Sequence, residues 1–282
     1  MNDLVWTISD LRTYLGVDVD DEQIHIYQSL ASTNDTAKEM AKNGCAHGTV
    51  VIADSQTAGR GRFNRQFYSP GSTGLYMSIV IDADKYALKE STLLTPFVAV
   101  IVSRVIHKVT DKKCGIKWVN DLYLEDKKVC GILTEGVMED GKLSKYVIGI
   151  GVNIAAAKFP EELEDIAGAL IRLNNISDNE NSAGDFSLDY VKEIRNRIAA
   201  ELINELTNSE VFADNLTLMK EYKESQIIMG NVVTVVGMNE NYDGKVLDIS
   251  SNGSLVIERM DEAHKGQIDE LISGEVSIRR KG

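Results

Sequence analysis

The stretch Gly59-Arg60-Gly61-Arg62-Phe63-Asn64-Arg65 places three arginines among glycines, between an apolar run, TVVIA, and an aromatic one, QFYSPG. Such a segment makes no sense as core. Guanidinium forks match carboxylate and phosphate oxygens two bonds at a time, and the glycines let the backbone wrap closely around a small guest. Arg60, Arg62 and Arg65 therefore point to an anionic ligand, held by a loop that is mobile when empty. A second group lies in KWVNDLYLEDKKVCGIL: Lys117, Asn120, Asp121 and Lys128, on or beside two strands of one hairpin. The Asp121 carboxylate is a candidate Mg²⁺ ligand. Lys128 opens an apolar strand, so its ammonium is expected in a cleft, whereas Glu125, Asp126 and Lys127 read as ordinary exposed charge. The third group, Ser32, Thr33 and Asn34, has the residue types that cap a helix N-terminus. The free N–H groups there suit the cap alone or a polar ligand as well.

Familiar phosphate loops do not describe the arginine segment. No G-x-x-x-x-G-K-[ST] occurs in the chain. The loop begins as G-x-G-x-x-G does, but Asn64 takes the place of the third glycine, and Pro70 and Gly71 follow where a helix should start. A dinucleotide fold is therefore disfavoured. Arginine side chains, rather than a helix N-terminus, must carry the positive charge.

The elements that must position these groups follow from periodicity. A short helix is expected around Ser9–Leu15, then a strand, IHIYQSL, and a helix capped by Ser32–Asn34 and stopped by Gly44. GTVVIADSQTAG is a buried strand entering the arginine loop, GLYMSIVID a central strand, and STLLTPFVAVIVSRVIHKVT a buried helix. Three strands joined by turns come next: CGIKWVNDLYLE turns at Asp126–Lys127 into KVCGILTEGV, which turns at EDGK into KYVIGIGVNI. That meander departs from the strand–helix alternation of doubly wound folds. Residues 174–184 read as a polar, mobile loop. An amphipathic helix repeats Leu188, Val191, Ile194, Ile198, Leu202 and Leu206, and another covers 210–224. The tail, 226–282, reads as a small all-β barrel of short strands.

Whole-chain properties bound the function. The 282 residues carry a net charge of −13, which argues against a general nucleic-acid binder but not against a local basic pocket. The best apolar run, PFVAVIV, is too short for a membrane span, and the N-terminus lacks the features of a signal peptide. Cys45, Cys114 and Cys130 are odd in number and far apart, without a C-x-x-C pair, which suits a reducing cytoplasm.

STN, QTAGRGR, KWVNDLYL, KKVCGIL and GIGVNI, in this order and spacing, resemble the biotin protein ligases, over about residues 25 to 154. The tail resembles that family's SH3-like C-terminal domain. Lipoate and octanoyl protein ligases share the fold, but the arginine loop and the N-D hairpin resemble those of the biotin branch. The resemblance implies an α+β fold: a central mixed, largely antiparallel sheet flanked by helices, with a ligase domain over 1–225 and the SH3-like domain over 226–282. Only about 24 residues precede the similarity, so the monofunctional form, without an N-terminal DNA-binding domain and without specific DNA binding, is expected.

The chemistry it implies is ATP-dependent. Biotin's carboxylate attacks the α-phosphate of ATP, giving biotinoyl-adenylate and pyrophosphate. A lysine of a biotin carboxyl carrier protein then attacks the mixed anhydride. Carried over by motif, biotin contacts fall on Ser32, Thr33, Asn34, Gln56, Gly59, Arg60, Gly61, Arg62, Lys128 and Gly131, with Phe67 as the aromatic residue beside the ligand. Nucleotide contacts fall on Arg60, Arg65, Lys117, Asn120 and Asn153, and Mg²⁺ on Asp121; Lys128, Arg62 and Lys117 are the catalytic candidates. A lipoate–protein ligase and a non-catalytic biotin-binding or regulatory module are the competing readings. Monomers and homodimers both occur in the family. Two positions depart from its pattern. Val119 stands in place of proline, and Asn64 in place of a loop glycine, where its tolerance of left-handed backbone is expected to let the loop close.

Overall fold

Gly74–Asp82, apolar on both faces, sits inside a seven-stranded sheet with a helix layer against each side. The structure, a computed structural model, describes residues 6–16, 19–156, 158–172, 188–236 and 241–278. The polar segment 174–184 lies outside them. After a short helix α1 (Ile8–Arg12), ending earlier than its sequence suggested, β1 (Ile24–Leu30) leads through α2 (Thr33–Lys42) to β2 (Thr49–Gln56). β1 and β2 are parallel. The helix between them supplies the crossover that parallel neighbours require.

The remaining strands pair antiparallel. They are β3 (Gly74–Asp82), β4 (Gly115–Lys117), β5 (Asp121–Leu124), β6 (Lys127–Glu139) and β7 (Lys142–Asn153), and the sheet order is β1-β2-β3-β7-β6-β5-β4. Strand alternation sorts the two faces. Val51, Val80 and Val147 meet Ala37 and Ala41 of α2. Val50, Ile52, Ile79 and Ile148 face the opposite layer, α3 (Leu94–Thr110) and α4 (Leu188–Leu206). The segment Ser91–Thr110, expected as one buried helix, is by composition long and apolar enough to cross a membrane, but most of it is buried inside the protein.

Where one strand was expected over CGIKWVNDLYLE there are two, separated by Trp118–Asn120. The turn is pinned from outside. Trp118 Nε1 donates to the Gly253 carbonyl at 3.0 Å, and Tyr222 Oη donates to the Val119 carbonyl at 3.0 Å. Tertiary bonds thus hold the turn at Val119 without a proline. The next turn is centred on Glu125 and Asp126 (φ 49° and 61°), one residue earlier than expected. Asp140–Gly141 (φ 49° and 76°) makes the expected turn between β6 and β7.

Two short strands, β8 (Ala155–Ala156) and β9 (Ile171–Arg172), bracket a segment the sequence reading passed over. The second late helix, α5 (Asn215–Glu224), begins after a separate turn at Ser209–Phe212. The tail forms five antiparallel strands: β10 (Val232–Val236), β11 (Asn241–Ile249), β12 (Leu255–Arg259), β13 (Ile268–Leu271) and β14 (Glu275–Ile278), in the order β13-β12-β11-β10-β14. β13, Ile-Asp-Glu-Leu, escaped notice because two acidic residues occupy its centre.

Candidate functional site

A cavity of about 1270 Å³ opens over the sheet where β7, β6 and β5 meet the arginine segment. Its polar end starts at the α2 N-terminus. Ser32 caps the helix by accepting from the Asp35 amide at 3.4 Å, so the sequence folds into helix with Thr33 and Asn34 in its first turn. All three side chains are buried. Gln56 Oε1 accepts from Thr33 N at 2.8 Å and Thr33 Oγ1 at 3.2 Å, and its Nε2 donates to Ser69 Oγ at 2.9 Å. Ser78 Oγ lies 2.9 Å from Thr33 Oγ1 and 2.6 Å from Asn34 Oδ1. Asn34 Nδ2 donates to the Leu133 carbonyl at 3.2 Å and to Glu135 at 3.1 Å. These groups satisfy one another, as buried polar groups must; Asn34 in particular is spoken for on both amide atoms.

Strand glycines make the floor. A Cβ on Gly149 would sit 1.9 Å from Asn34 Oδ1, and one on Gly151 would sit 2.6 Å from the Phe67 ring. Gly131 lies under the same ring, at 3.1 Å by the same measure. A side chain at Gly149 or Gly151 would displace the Asn34 amide or the Phe67 ring from β7, while Gly131 on β6 is tight rather than closed. The glycine pattern of GIGVN thus has a packing cause.

The arginine segment folds into a small hairpin closed by its own backbone. Phe67 N donates to Gly59 O at 2.8 Å and Gly61 N to Arg65 O at 2.7 Å. At the tip, the left-handed residue is Phe63 (φ 54°), not Asn64 as expected. Phe63 is also 62 % exposed, with the Arg62 guanidinium 4.9 Å from its ring centroid. A non-glycine residue in that region costs roughly 1–2 kcal/mol. Arg60 pairs with Asp35 and lies 3.8 Å from Glu135, while Arg62 donates to Asn120 Oδ1 at 3.4 Å.

The opposite wall is cationic. Lys128 Nζ is 2.8 Å from Asp121 Oδ1 and 5.9 Å from the Phe67 centroid, and Lys117 Nζ is 5.6 Å from the Tyr123 centroid. Asn120 Nδ2 donates to the Ile132 carbonyl at 2.8 Å, and Asn153 Nδ2 to the Gly168 carbonyl at 2.9 Å. Burial pushes the Cys130 thiol behind this wall far up, so it stays a neutral core residue.

Of the sequence-selected residues, Ser32, Thr33, Asn34, Gln56, Arg60, Gly61, Arg62, Arg65 and Phe67 line the cavity. So do Lys117, Asn120, Asp121, Lys128, Gly131 and Asn153. Gly59 does not; it stands behind the hairpin, where a Cβ would meet the Phe67 carbonyl at 2.5 Å. Sequence reasoning missed one wall, made by Phe159, Leu163, Ile166 and Ala167. Backbone bonds dock it on β6: Lys128 N donates to Ile166 O and Gly168 N to Lys128 O, both at 2.8 Å. It also missed Ile227 and Val276, and the carboxylates of Asp35 and Glu135 around Arg60. Among the described residues no three His, Cys, Asp or Glu side chains gather into a metal site, and Asp121 is held by Lys128.

A sequence model described as the biotin/lipoate A/B protein ligase family matches residues 26–153. The bifunctional ligase/repressor BirA of Bacillus subtilis is 32% identical over 253 residues, covering 89% of this chain and 74% of its own. The chain belongs to the biotin/lipoate A/B protein ligase family. The Escherichia coli protein of the same description is 31% identical over 236 residues, covering 82% and 67%. Among solved structures, the biotin protein ligase from Aquifex aeolicus in complex with biotin and ATP superposes with a TM-score of 0.64 at 27% identity, covering 92% of this chain and 99% of that one. The fold expected of a biotin/lipoate ligase is the fold observed: a mixed, largely antiparallel sheet between helices, with a small C-terminal β unit. In this family member the quoted motifs, spread over more than a hundred residues of sequence, line one cavity.

Proposed function

We propose that this chain is an ATP-dependent biotin protein ligase, which forms biotinoyl-5'-AMP and passes biotin to a lysine of a biotin carboxyl carrier protein. The observation that carries the reading is the joining of a buried, hydrogen-bonded polar end to a cationic end in one cavity of about 1270 Å³. That exceeds the ~300–1,000 Å³ typical of single small-molecule sites and leaves room for two reactants. The solved relatives that hold biotin with ATP support it.

The ring system of biotin lies toward Gln56 and Thr33, against Phe67, and its carboxylate faces Lys128 and the arginine hairpin. Two anionic reactants repel each other. Lys128, Lys117, Arg60, Arg62 and Arg65 offset that repulsion and favour the charge that builds at the α-phosphorus. The carboxylate oxygen bonds to phosphorus as the bond to pyrophosphate breaks. The carrier's neutral amine then bonds to the acyl carbon, AMP leaves, and the amine sheds a proton to solvent. The hairpin and the Phe159–Ala167 wall keep water from the anhydride between the two steps.

Among the described residues no three carboxylates gather around Asp121, the candidate Mg²⁺ ligand, so the ion would arrive with most of its ligands from the nucleotide and water. It would neutralise phosphate charge. The carrier is the biotin-accepting domain of a carboxylase. A net charge of −13 disfavours DNA as a partner, and three unpaired cysteines suit a reducing compartment. ATP–pyrophosphate exchange tests the assignment. Exchange driven by biotin is expected; exchange driven by lipoate and not by biotin would make the chain a lipoate ligase.

A further inference from the structure

Glu135 poses a problem for a site that takes anions. It lies on β6, two residues past Leu133, with its side chain only 18% exposed and close to two cavity residues, Arg60 and Asn34. An uncompensated carboxylate there would repel both reactants. It is compensated: Lys38 of α2 donates to Oε1 at 2.9 Å, and Arg60 Nη2 lies at 3.8 Å. Burial alone would raise its pKa. The hydrogen bonds from Lys38 and Asn34, with the charges of Lys38 and Arg60, outweigh burial and hold the carboxyl below its usual range, so it is ionised at neutral pH.

What it holds is more informative than how it is tolerated. Oε2 accepts from Asn34 Nδ2 at 3.1 Å, and Asn34 Oδ1 in turn meets Ser78, which meets Thr33 and through it Gln56. One carboxylate therefore joins the buried polar floor to the arginine hairpin. We propose that Glu135 is a positioning residue of the ligand site: it sets the Asn34 amide and the Arg60 guanidinium relative to each other, with Lys38 as its fixed counter-ion and Arg60 as the exchangeable one. When a ligand carboxylate arrives, Arg60 turns from Asp35 and Glu135 to the ligand, and Lys38 leaves Glu135 neutralised. The distances rank this way, 2.9 Å for Lys38 against 3.8 Å for Arg60.

The inference rests on the reading of the cavity as a biotin site. Its test is biotin titration calorimetry on wild type, Glu135→Gln and Glu135→Ala, with the KM for ATP and the thermal midpoint measured alongside. Glutamine keeps an acceptor for Asn34 and loses the charge; alanine loses both. The expected result is a graded rise in biotin Kd, about threefold for glutamine and about tenfold for alanine, with the ATP KM within about twofold of wild type. Equal Kd in all three proteins, or a parallel rise in ATP KM, overturns the proposal. If the alanine variant fails to fold, the glutamine variant decides by the same criteria. Wild type that binds no biotin would instead overturn the function proposed above.

Discussion

The polar floor and the arginine hairpin share one cavity but are built on opposite principles. Floor residues Thr33, Asn34 and Ser78 are at most 4% exposed and are anchored in a helix turn and a central strand. Their bonds are mutual and made within the protein itself. The hairpin is held by its own backbone, carries a left-handed phenylalanine at its tip, and pairs Arg60 with the partly exposed Asp35. Exposed ion pairs are worth roughly 0.2–1 kcal/mol, so they exchange readily. Recognition of a neutral ring system needs pre-set geometry; capture of a charged intermediate needs groups that move. The contrast predicts which property each region controls.

Lys128 belongs to neither region and gives the largest expected effect. Its ammonium lies 2.8 Å from Asp121 Oδ1 and 5.9 Å from the Phe67 ring centroid, and in the function proposed here it meets the charge that builds during adenylate formation. Lys128→Ala should slow that step by about 10², the scale of one lost transition-state contact of ~3 kcal/mol. Single-turnover quench measurements check this, with biotin Kd expected to change far less. An unchanged rate would remove Lys128 from the chemistry. Gly149→Ala comes next and strikes the floor directly, reaching the hairpin's backbone only at second hand, through Glu135 and Arg60. The new methyl would meet Asn34 Oδ1 at 1.9 Å, so Asn34 must leave its place over β7. Overpacking of that kind costs roughly 1–3 kcal/mol. Biotin affinity should fall about 10- to 100-fold, while the hairpin's proteolytic sensitivity stays as in wild type. Faster cleavage at Arg62 or Arg65 would mean the two regions are not separable.

Arg62→Gly strikes the hairpin alone. Closing the loop costs backbone entropy, and glycine raises that cost while removing a charge-assisted bond. Adenylate formation should persist, with release of the adenylate faster by about tenfold. Rapid-filtration timing after removal of free ATP measures it, and lysine labelling should spread beyond the carrier. Equal release rates with labelling still confined to the carrier lysine would show that Arg62 does not retain the intermediate.

Much of this was legible in the sequence because its signals are local. Caps at Ser32–Asn34, the arginine–glycine spacing and the Asp140–Gly141 turn each act within a few residues of themselves. What was not legible depends on distant partners. Glu135 meets Asn34 across 101 positions, and neither residue's neighbours announce the other. The glycines of GIGVN were visible, but the Asn34 and Phe67 side chains that require them come from elsewhere in the chain. KWVND reads as one strand because its break is enforced by Gly253 and Tyr222, far downstream. The Phe159–Ala167 wall has no periodicity of its own and is placed by backbone bonds to Lys128.

The smallest expected effect tests whether the floor's scaffold can be loosened from its far end. α2 and β2, which carry Asn34 and Gln56, are joined through His47. Its Nδ1 accepts from the Asp82 amide at 3.1 Å, and its Nε2 faces the Thr207 carbonyl at 3.3 Å, which fixes a neutral ring protonated on Nε2. Burial foremost, then the nearby cations Lys85 and Lys145, outweigh Thr207 and Asp82 and lower the imidazole pKa below its ordinary 6.5. The folded state therefore binds this proton less readily than the unfolded chain. Stability is full above pH ~6.5 and falls as the pH drops from there toward the lower folded value. Protonation takes the acceptor from the Asp82 amide, a loss of about 1 kcal/mol at most given the half-exposed ring, or about 2–4 °C in thermal midpoint at this size. His47→Gln should remove this part of the acid dependence between pH 7 and 5. Adenylate release, set by the hairpin, should not follow it. A His47→Gln protein whose midpoint falls with pH as wild type's does would place the acid sensitivity elsewhere. A release rate that tracks the midpoint would join the floor and the hairpin into one unit.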